Sequence, residues 1–574
     1  METEWLIPDN NPDIAEKIAR IVGCHKIVAK ILVNRGVLTP EEAFTFLNPS
    51  FTNLTDPFAL KDMKKAVQRI YTAICNREKI LVFGDFDADG ITATSLLNDF
   101  FYHVEAEVSW YVPHRVKEGF SLKPCHIEMA AEQKCDLVIT VDCGSDSHDA
   151  VKLAIKEDID VIITDHHEVT SHIPPAIAVV NPKREDCQAG LEHLAGVGVA
   201  FYLIIALRQH LRINGFWKDI QEPNLIKYCD LFAIGTIADM VPLKAENRIL
   251  SRAGMEIIQQ GKREGIRALT KISRIESGFL NSDDISFRIA PRINAAGRIS
   301  HARICVDLLT EKNRIKAEQT AAILDNLNTR RQLLEKSIVD DIEYKIKIAP
   351  ELLNASAIVM ASPEWPAGVM GIAASRISRS HCRPVILIST AQEPATGSCR
   401  SINRINIHKA LCACCDLLEN FGGHAMAAGI TINKENIESF KHLFESEIAK
   451  ASSDKVAVKT INLDSSLDIE DITESFIEEI EALRPFGTGN PEPMFECMDL
   501  KVVSSMIMGT RHRKMVLQKC DSPGGKKACS IEALQFNIDP EEPMQSKFKK
   551  IAFRVRMNRF NKRKIPQIII EEAL

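Results

Sequence analysis

Three apolar runs in the first third of the chain each end in an acidic cluster, and this pattern constrains the fold more than any other. Ile80–Phe83 is followed by Gly-Asp-Phe-Asp-Ala-Asp-Gly, Leu137–Val141 by Asp-Cys-Gly, and Val161–Thr164 by Asp-His-His. Helix-length segments separate most of the apolar runs, which is typical of a mostly parallel sheet with helices on both faces. Because ligands bind outside the carboxyl ends of the strands in such sheets, we expect the three clusters to meet in one crevice.

Several carboxylates and one imidazole would share that crevice. They are Asp85, Asp87, Asp89, Asp142 and His166, with Asp239 at the end of a later apolar segment as a further candidate. So many carboxylates repel one another unless divalent cations neutralise them, and one imidazole among them suits Mg²⁺ or Mn²⁺. Helix capping explains a single Asp after a strand, but it explains three clusters poorly. An EF-hand loop is disfavoured, since Leu96 stands where its bidentate Glu is needed.

The rest of the chain predicts further folded units. With 574 residues the chain is too long for one core, so we expect three or four units. Residues 298–349 contain neither Gly nor Pro and carry Leu and Ile at helical spacing, which predicts a long connecting helix. A second α/β pattern follows this helix. After the turn-rich segment 484–493, alternating apolar and polar residues predict a small β-rich unit.

Charge and cysteine content indicate the setting in which the chain works. The formal net charge of −6 argues against coating duplex nucleic acid through a global positive field, but is compatible with a local basic groove. The 16 cysteines are scattered, which is typical of reduced thiols in a cytoplasmic protein. We expect neither a signal peptide nor a membrane span, because no apolar run approaches about 20 residues.

Four segments resemble, in order, the motifs of the DHH phosphoesterase superfamily: Gly84–Gly90, Val141–Gly144, Asp165–His167 and Gly235–Asp239. Four more are similar to segments of the RecJ family within it: Arg292–Arg298, Gly368–Arg376, Gly397–Ser401 and Gly422–Gly429. The resemblance implies an α/β fold, with a mostly parallel-sheet DHH domain joined by a long helix to a smaller α/β DHHA1 domain, plus a C-terminal β-rich OB-like domain. The implied boundaries are 1–50 for an N-terminal helical segment, 51–312 for DHH, 313–346 for the connecting helix, 347–455 for DHHA1 and 456–574 for the OB-like domain.

The resemblance also implies a centre with two metal ions. Asp85 and Asp87 would hold one ion, Asp89, His166 and Asp239 the other, and Asp142 would bridge them. His167 would face the scissile phosphate as a catalytic residue beside Asp142, with a core histidine as the alternative. The sequence departs from some family members at Phe83, where they carry His, and this change could reshape one metal position.

Two further sets of residues are candidates for holding the substrate strand. The first suits phosphate through glycines, hydroxyls and guanidinium groups and comprises Arg292, Asn294, Arg298, Ser398, Arg400, Ser401, Gly423 and His424. The second is a basic C-terminal segment, residues 547–564, interleaved with Phe548, Phe553 and Phe560. An OB barrel binds single strands through a basic groove and stacked aromatics. The alternative is a solvated strand face whose Phe residues belong to the core.

From the resemblance we expect an enzyme: a Mn²⁺- or Mg²⁺-dependent 5′→3′ exonuclease that hydrolyses single-stranded DNA in repair and recombination. A helicase and a single-strand-binding protein are expected partners. A DHH phosphodiesterase for short oligonucleotides or cyclic dinucleotides is the alternative within enzymology, but such enzymes lack the C-terminal extension. A catalytically inactive scaffold is disfavoured, because all six proposed metal ligands are present.

Overall fold

The structure is a computed structural model that describes residues 3–8, 11–169, 172–275, 279–402, 405–451, 459–509, 511–520, 529–539, 541, 545–559 and 564–574. Its strands are β1 (Thr3–Leu6), β2 (Ile80–Gly84), β3 (Val108–Tyr111), β4 (Leu137–Val141), β5 (Asp160–Thr164), β6 (Ala178–Val180), β7 (Ile358–Ser362), β8 (Val385–Ser389), β9 (Ala395–Arg400), β10 (Asn420–Gly423), β11 (Ala427–Ile432), β12 (Lys459–Asn462), β13 (Ser465–Ser466), β14 (Phe495–Met508), β15 (His512–Lys519), β16 (Ser530–Phe536), β17 (Lys547–Asn558) and β18 (Ile565–Ala573).

The helices lie between these strands in the order that the sequence predicts for two α/β units. They are α1 (Pro12–Val22), α2 (Lys26–Asn34), α3 (Pro40–Leu47), α4 (Met63–Asn76), α5 (Ala88–His103), α6 (Pro124–Glu132), α7 (His148–Lys156), α8 (Gly196–Ile213), α9 (Cys229–Ala238), α10 (Ala245–Gln260), α11 (Glu264–Ile272), α12 (Ser282–Asp284), α13 (Ala290–Ile299), α14 (Arg303–Thr310), α15 (Arg314–Ile348), α16 (Ala367–His381), α17 (Ile407–Cys412), α18 (Ile437–Ala451) and α19 (Glu474–Ala482).

The first sheet is fully parallel in the order β3-β2-β4-β5-β6. β2 and β4 are buried along their whole length, as expected for central strands covered by helices on both faces. Helices α5, α8 and α9 pack on one another beside this sheet. Among the described residues, α8 is the one helix long and apolar enough to cross a membrane, but 67% of it is buried inside the protein, so this is weak evidence for a span.

Helix α15 connects this unit to a second sheet. The helix has 35 residues and buries Leu324, Ile338 and Ile342 along one side. The second sheet has the order β10-β11-β9-β8-β7, with β7 and β8 parallel and the other pairs antiparallel. The predicted long connector and smaller α/β domain are therefore confirmed.

The C-terminal strands close into a barrel. β14, β15, β16, β18 and β17 pair in that order, and β17 pairs back with β14. The barrel core contains Phe495, Leu517 and Phe553, and it is continuous with buried residues of α1 and α2, such as Ile18 and Leu32. The predicted β-rich C-terminal domain is confirmed.

The chain forms two compact units that each draw on distant parts of the sequence. One contains residues 1–55, 240–252 and 458–574, and the other contains residues 56–239 and 253–457. The N-terminal helices thus share a unit with the barrel rather than standing alone. The domain boundaries in sequence stay predictions.

Candidate active site

The acidic clusters lie at the carboxyl ends of adjacent parallel strands, as predicted. Asp85 follows β2, Asp142 follows β4, and Asp165 and His166 follow β5. The carboxylate of Asp87 caps α5, since it accepts hydrogen bonds from the backbone N–H groups of Asp89 and Gly90 at 2.9 and 3.2 Å. Strand order alone therefore brings residues from distant parts of the sequence to one edge of the sheet.

The predicted ligand atoms form clusters around His166. Its Nε2 atom lies 3.1 Å from Asp142 Oδ1, 3.8 Å from Asp89 Oδ2 and 3.7 Å from Asp239 Oδ2. Ligand atoms of Asp89, His166 and Asp239 all lie within 4.8 Å of one another, and so do those of Asp85, Asp87 and Asp142. A third group within the same distance contains Asp142, His166 and His167. The division of these residues between two ions stays a prediction.

The N-terminus of α8 holds two of these carboxylates in place. The backbone N–H groups of Gly196 and Val197 donate to Asp89 at 2.6 and 2.9 Å. At Gly196 the backbone also approaches Asp142 so closely that a Cβ atom would lie 2.4 Å from Asp142 Oδ1. The glycine therefore leaves space that Asp142 occupies. Asp142 itself has a φ of 61°, which is uncommon for a residue other than glycine and is typical of functional positions.

The unneutralised carboxylates are strongly perturbed. Burial, reinforced by the charge of Asp87, raises the pKa of Asp89 to about 7. Burial and the charges of Asp89 and Asp87 raise the pKa of Asp239 to about 8. The pKa values of Asp85 and Asp142 rise well above the usual range, because both are buried and face other carboxylates. Burial and the proximity of His167 lower the pKa of His166 to about 3, so that its imidazole is neutral, as a metal ligand must be.

Unpartnered buried atoms indicate what these residues bind. Among the described residues, Asp85 Oδ1 is buried and accepts no hydrogen bond, and the buried Asp142 Oδ1 has only His166 Nε2 nearby, at 3.1 Å. Such atoms are costly unless a further group binds them. Oxygen-rich sites with one imidazole suit Mn²⁺ or Mg²⁺, so the residues present fit a pair of hard divalent cations.

Asp165 fixes the orientation of His167. One oxygen of Asp165 lies 2.8 Å from His167 Nδ1 and also accepts the backbone N–H groups of both histidines, and the other accepts the N–H of Ser145. Burial alone would lower the pKa of His167, but the hydrogen bond and charge of Asp165 raise it to about 9. The ring of Phe120 packs edge-on against His167 at 5.3 Å. Sequence reasoning assigned no role to Asp165 beyond its place in the motif.

Three arginines gather beside the carboxylates without a carboxylate ion pair among the described residues: Arg115, Arg298 and Arg400. Burial lowers the pKa of all three guanidinium groups. The charge of Arg115 lowers the pKa of Arg298 and Arg400 further, whereas the charges of Asp85 and Asp87 oppose the effect of burial at Arg115. The Arg115 guanidinium lies 4.8 Å above the Phe86 ring. Ser398 and Arg400 both lie close to Gly371 of α16. This arginine cluster brings the predicted Arg298, Ser398 and Arg400 together.

Sequence reasoning missed Arg115. It lies in the loop after β3, and the local signal was its position at the carboxyl end of a parallel strand, where ligand-binding residues are expected. That position alone does not single out Arg115, whereas its place over the Phe86 ring and near the charges of Asp85 and Asp87 does.

The other predicted substrate-binding residues either bond to other parts of the protein or lie in an exposed segment. Arg292 pairs with Asp325 of α15 at 2.7 Å. Asn294 accepts the backbone N–H of Ala88, so it positions the start of α5. Ser401 is buried and donates to the carbonyl of Ile405. Gly423 is the exposed last residue of β10, and His424 lies in the exposed turn that leads to β11. Their substrate roles stay predictions.

Phe83 lies in the hydrophobic core below the sheet edge. Its ring stacks on Tyr111 at 5.9 Å and lies 4.8 Å from the ring of His126. Some family members carry His at this position, whereas in this chain the Phe83 ring packs in the hydrophobic core.

Most described cations of the basic C-terminal segment are neutralised by ion pairs. Arg556 binds Glu492 through two hydrogen bonds of 2.9 and 2.7 Å, and Arg559 binds Glu481 through two of 2.8 and 2.5 Å. Lys564 pairs with Glu474 and Glu478 of α19. The described aromatic residues of the segment, Phe548 and Phe553, are buried, whereas Phe560, Lys562 and Arg563 lie outside the described residues.

Comparison with known proteins agrees with this architecture. Family models match for the DHH family N-terminal domain at residues 79–236, the DHHA1 domain at 354–450 and the RecJ OB domain at 463–572. The single-stranded-DNA-specific exonuclease RecJ of Bacillus subtilis strain 168 is 35% identical over 573 residues, which is 99% of this chain and 70% of the relative.

Solved structures of RecJ from Thermus thermophilus are also similar. The complex with Mn²⁺ has a TM-score of 0.83 at 28% identity and covers 100% of this chain and 80% of that chain. The complex with Mg²⁺ has a TM-score of 0.76 at 26% identity and covers 100% of this chain and 78% of that chain. From its domain order, its acidic centre and this similarity over nearly its whole length, the chain belongs to the RecJ family of single-stranded-DNA-specific exonucleases.

Proposed function

We propose that this single-stranded-DNA-specific exonuclease binds two cations, Mn²⁺ or Mg²⁺. Asp85 and Asp87 would hold one ion, Asp89, His166 and Asp239 would hold the other, and Asp142 would be shared between them. The observation that carries this proposal is that ligand atoms of these six residues and of His167 form overlapping groups, each within 4.8 Å, in which Asp142 and His166 are the shared members. When bound, the cations supply Lewis-acid activation of water and neutralise charge on the phosphate.

The chain's own residues prepare the site for that chemistry. The N-terminus of α8 fixes the Asp89 carboxylate, so the site is already organised before substrate binds. Asp165 occupies His167 Nδ1, which directs the other ring nitrogen away from Asp165. In that orientation His167 is suited to donate a hydrogen bond to a non-bridging oxygen of the scissile phosphate.

The arginine cluster supports attack from the 5′ end. Arg115, Arg298 and Arg400 provide buried positive charge close to the metal ligands, and Ser398 adds a hydroxyl. A terminal phosphate bound there would place the first phosphodiester bond near the carboxylates, and guanidinium groups bind phosphate through paired hydrogen bonds. The direction 5′→3′ also follows from the family resemblance. A phosphodiesterase for short substrates is not favoured, because the relatives and the C-terminal barrel both indicate longer single strands.

We also propose a cytoplasmic location and two partners. An exonuclease specific for single strands requires a source of them, so a helicase and a single-strand-binding protein fit its reaction. The scattered cysteines are consistent with a reducing compartment.

Digestion of labelled substrates tests the proposal. Single strands labelled at the 5′ or the 3′ end, a duplex and a short RNA are incubated with Mn²⁺ or with chelator. We expect mononucleotides to be released from the 5′ end of single-stranded DNA, with cleavage only when metal is present. Release from the 3′ end would contradict the assignment of the arginine cluster, and undiminished cleavage in chelator would contradict the metal centre.

A further inference from the structure

A cavity lined by α5 and α9 lies apart from the proposed metal ligands. It has a volume of about 600 Å³, and its lining includes Asp99 of α5, Lys227, Asp230 of α9, Arg263 and Lys312. Four separated stretches of the sequence thus meet around it, and we call it the α5–α9 pocket. Its volume is in the range of pockets that bind small molecules.

The two helices that line this pocket carry proposed metal ligands at their other ends. Asp89 lies in the first turn of α5, and Asp99 follows at a distance of about 15 Å along the helix axis. Asp230 lies in the first turn of α9, whereas Asp239 follows the last residue of that helix. The α5–α9 pocket is therefore separate from the acidic centre, although a ligand in it contacts the helices that position that centre.

Three lysines of the α5–α9 pocket form no ion pair with any described residue: Lys227, Lys262 and Lys312. Burial lowers the pKa of the Lys227 ammonium group. The charge of Asp99 opposes this lowering of the pKa, whereas the charges of Arg263 and Lys312 add to it. Cations that repel one another at such short range gain from an anion that binds between them.

The acidic residues of the α5–α9 pocket are already engaged. Arg263 donates a hydrogen bond to Asp230 at 2.8 Å and lies 3.6 Å from Asp99. Glu264 pairs with an arginine one turn further along α11. One carboxylate oxygen of Glu311 accepts the backbone N–H groups of the next two residues at 2.9 and 2.7 Å. The three lysines therefore supply the charge that is left for a ligand, and this charge is positive.

An exposed aromatic ring lies in a neighbouring cavity. This second cavity has a volume of about 630 Å³, shares Asp99, Lys227 and Lys312 with the α5–α9 pocket, and is also lined by Tyr102 of α5. The Tyr102 side chain is 68% exposed. Lys312 Nζ lies 4.8 Å from the centroid of the Tyr102 ring, over one face, which leaves the other face for stacking.

We propose that the α5–α9 pocket and the neighbouring cavity together bind a nucleoside triphosphate. The phosphates lie among Lys227, Lys262 and Lys312, and the base stacks on Tyr102. This site goes beyond the proposed function, because it contains none of the proposed metal ligands and none of the arginines that are assigned to the substrate strand.

The charge and the arrangement of the two cavities favour this class of ligand. Lysine ammonium groups bind phosphate oxygens as point charges, and three of them match a chain of phosphates better than a single phosphate. Any base can stack on an aromatic ring, because every base has a π-face. Since the two cavities share Lys227 and Lys312, one ligand can place its phosphates in the first cavity and its base in the second.

Isothermal titration calorimetry on the full-length protein tests the assignment. ATP is titrated in chelator, so that no metal-bound nucleotide enters the acidic centre. The variant Lys227→Gln/Lys312→Gln removes two phosphate contacts, and Lys152→Gln/Lys156→Gln is the matched control, because it removes the same charge from exposed positions of α7. We expect ATP to bind the unmodified protein and the control equally, and to bind the Lys227→Gln/Lys312→Gln variant about tenfold more weakly.

Two further ligands separate the contributions of the base and of the phosphates. Tyr102→Ala should weaken ATP binding roughly fivefold and leave the binding of inorganic triphosphate unchanged, because only ATP carries a base. We expect dAMP to bind more weakly than ATP, because it carries a single phosphate.

Three results would overturn the proposal. The first is an ATP affinity that is undiminished in Lys227→Gln/Lys312→Gln, or that falls equally in the α7 control. The second is ATP binding that is lost in Arg115→Ala but kept in Lys227→Gln/Lys312→Gln, because the nucleotide then occupies the arginine cluster. The third is dAMP binding that is as tight as ATP binding and depends equally on the lysines, because the pocket then selects a mononucleotide.

A measurement on the unmodified protein covers the case in which the double lysine variant fails to fold. The protein is photolabelled with 8-azido-ATP in chelator, and the labelled peptides are identified by mass spectrometry. Labels within 99–106, 224–230 or 310–312 support the proposal, whereas labels confined to 85–89, 113–120 or 398–401 overturn it.

Discussion

Gly196→Ala tests how tightly the backbone of α8 is fitted to the metal centre. The new Cβ atom would lie 2.4 Å from Asp142 Oδ1, 2.5 Å from Asp142 Cβ and 2.6 Å from Asp142 Cγ. Carbon atoms in contact are normally about 3.5–4.0 Å apart, so the Asp142 side chain or the helix must move by about 1 Å. Gly196 is the first residue of α8, and Ala is a better helix former, so the substitution acts through Asp142 and not through helix loss.

The expected effect follows from that displacement. A misplacement of about 1 Å in a catalytic group costs roughly 100-fold in rate, which corresponds to about 2.7 kcal/mol of barrier. Single-turnover release of the first nucleotide from a labelled single strand should slow by about that factor. The Mn²⁺ concentration for half-maximal rate should rise, because Asp142 is the proposed bridging ligand.

Gly198→Ala is the matched control on the same turn of α8. Its Cβ atom would contact Leu194 at 3.2 Å and Phe232 at 3.5 Å, and no proposed metal ligand is among these neighbours. We expect nearly normal rate and Mn²⁺ dependence in this variant. If Gly196→Ala retains the rate and Mn²⁺ dependence of the unmodified enzyme, the close fit between α8 and Asp142 has no catalytic role and the reasoning is refuted.

Three further predictions concern neighbouring groups. Asp165→Ala removes the 2.8 Å contact to His167, and we expect a roughly 10–100-fold lower kcat with an altered pH–rate profile; an unchanged profile would show that Asp165 has no positioning role. Arg115→Ala should reduce the preference for a 5′-phosphate over a 5′-hydroxyl end, seen as a higher KM for the phosphorylated strand only. Chelation should lower the Tm, and the metal-free protein should lose stability as the pH rises from about 4 to about 8. The sign follows because Asp89 and Asp239 have folded pKa values of about 7 and 8, above the unfolded value of about 3.9, so the folded state binds more protons in this window. A Tm in chelator that is constant over this range would contradict the perturbed carboxylates.

The sequence was sufficient to predict those parts of the site that follow directly from the pattern of parallel strands. Parallel strands bring their carboxyl ends to one edge, so Asp85, Asp142 and His166 could be placed together from the strand pattern alone. Asp239 could not be placed in the same way, because its position depends on how α9 packs against α5. The contact between Gly196 and Asp142 was also out of reach, since it joins residues far apart in sequence through one backbone approach.

Arginine and lysine residues show why local charge density is a poor guide to phosphate binding in this chain. Segment 554–564 is dense in cations, yet Arg556 is paired with Glu492, 64 positions away, and Arg559 with Glu481, 78 positions away. Arg115 and Arg298 lie in distant parts of the sequence, yet they lie close together in a buried site without a carboxylate ion pair in the described residues. A buried cation without a partner gains most from an anionic ligand, whereas a paired surface cation must first lose its carboxylate. The long-range partner therefore decides which cations are left for DNA, and only the fold supplies that partner.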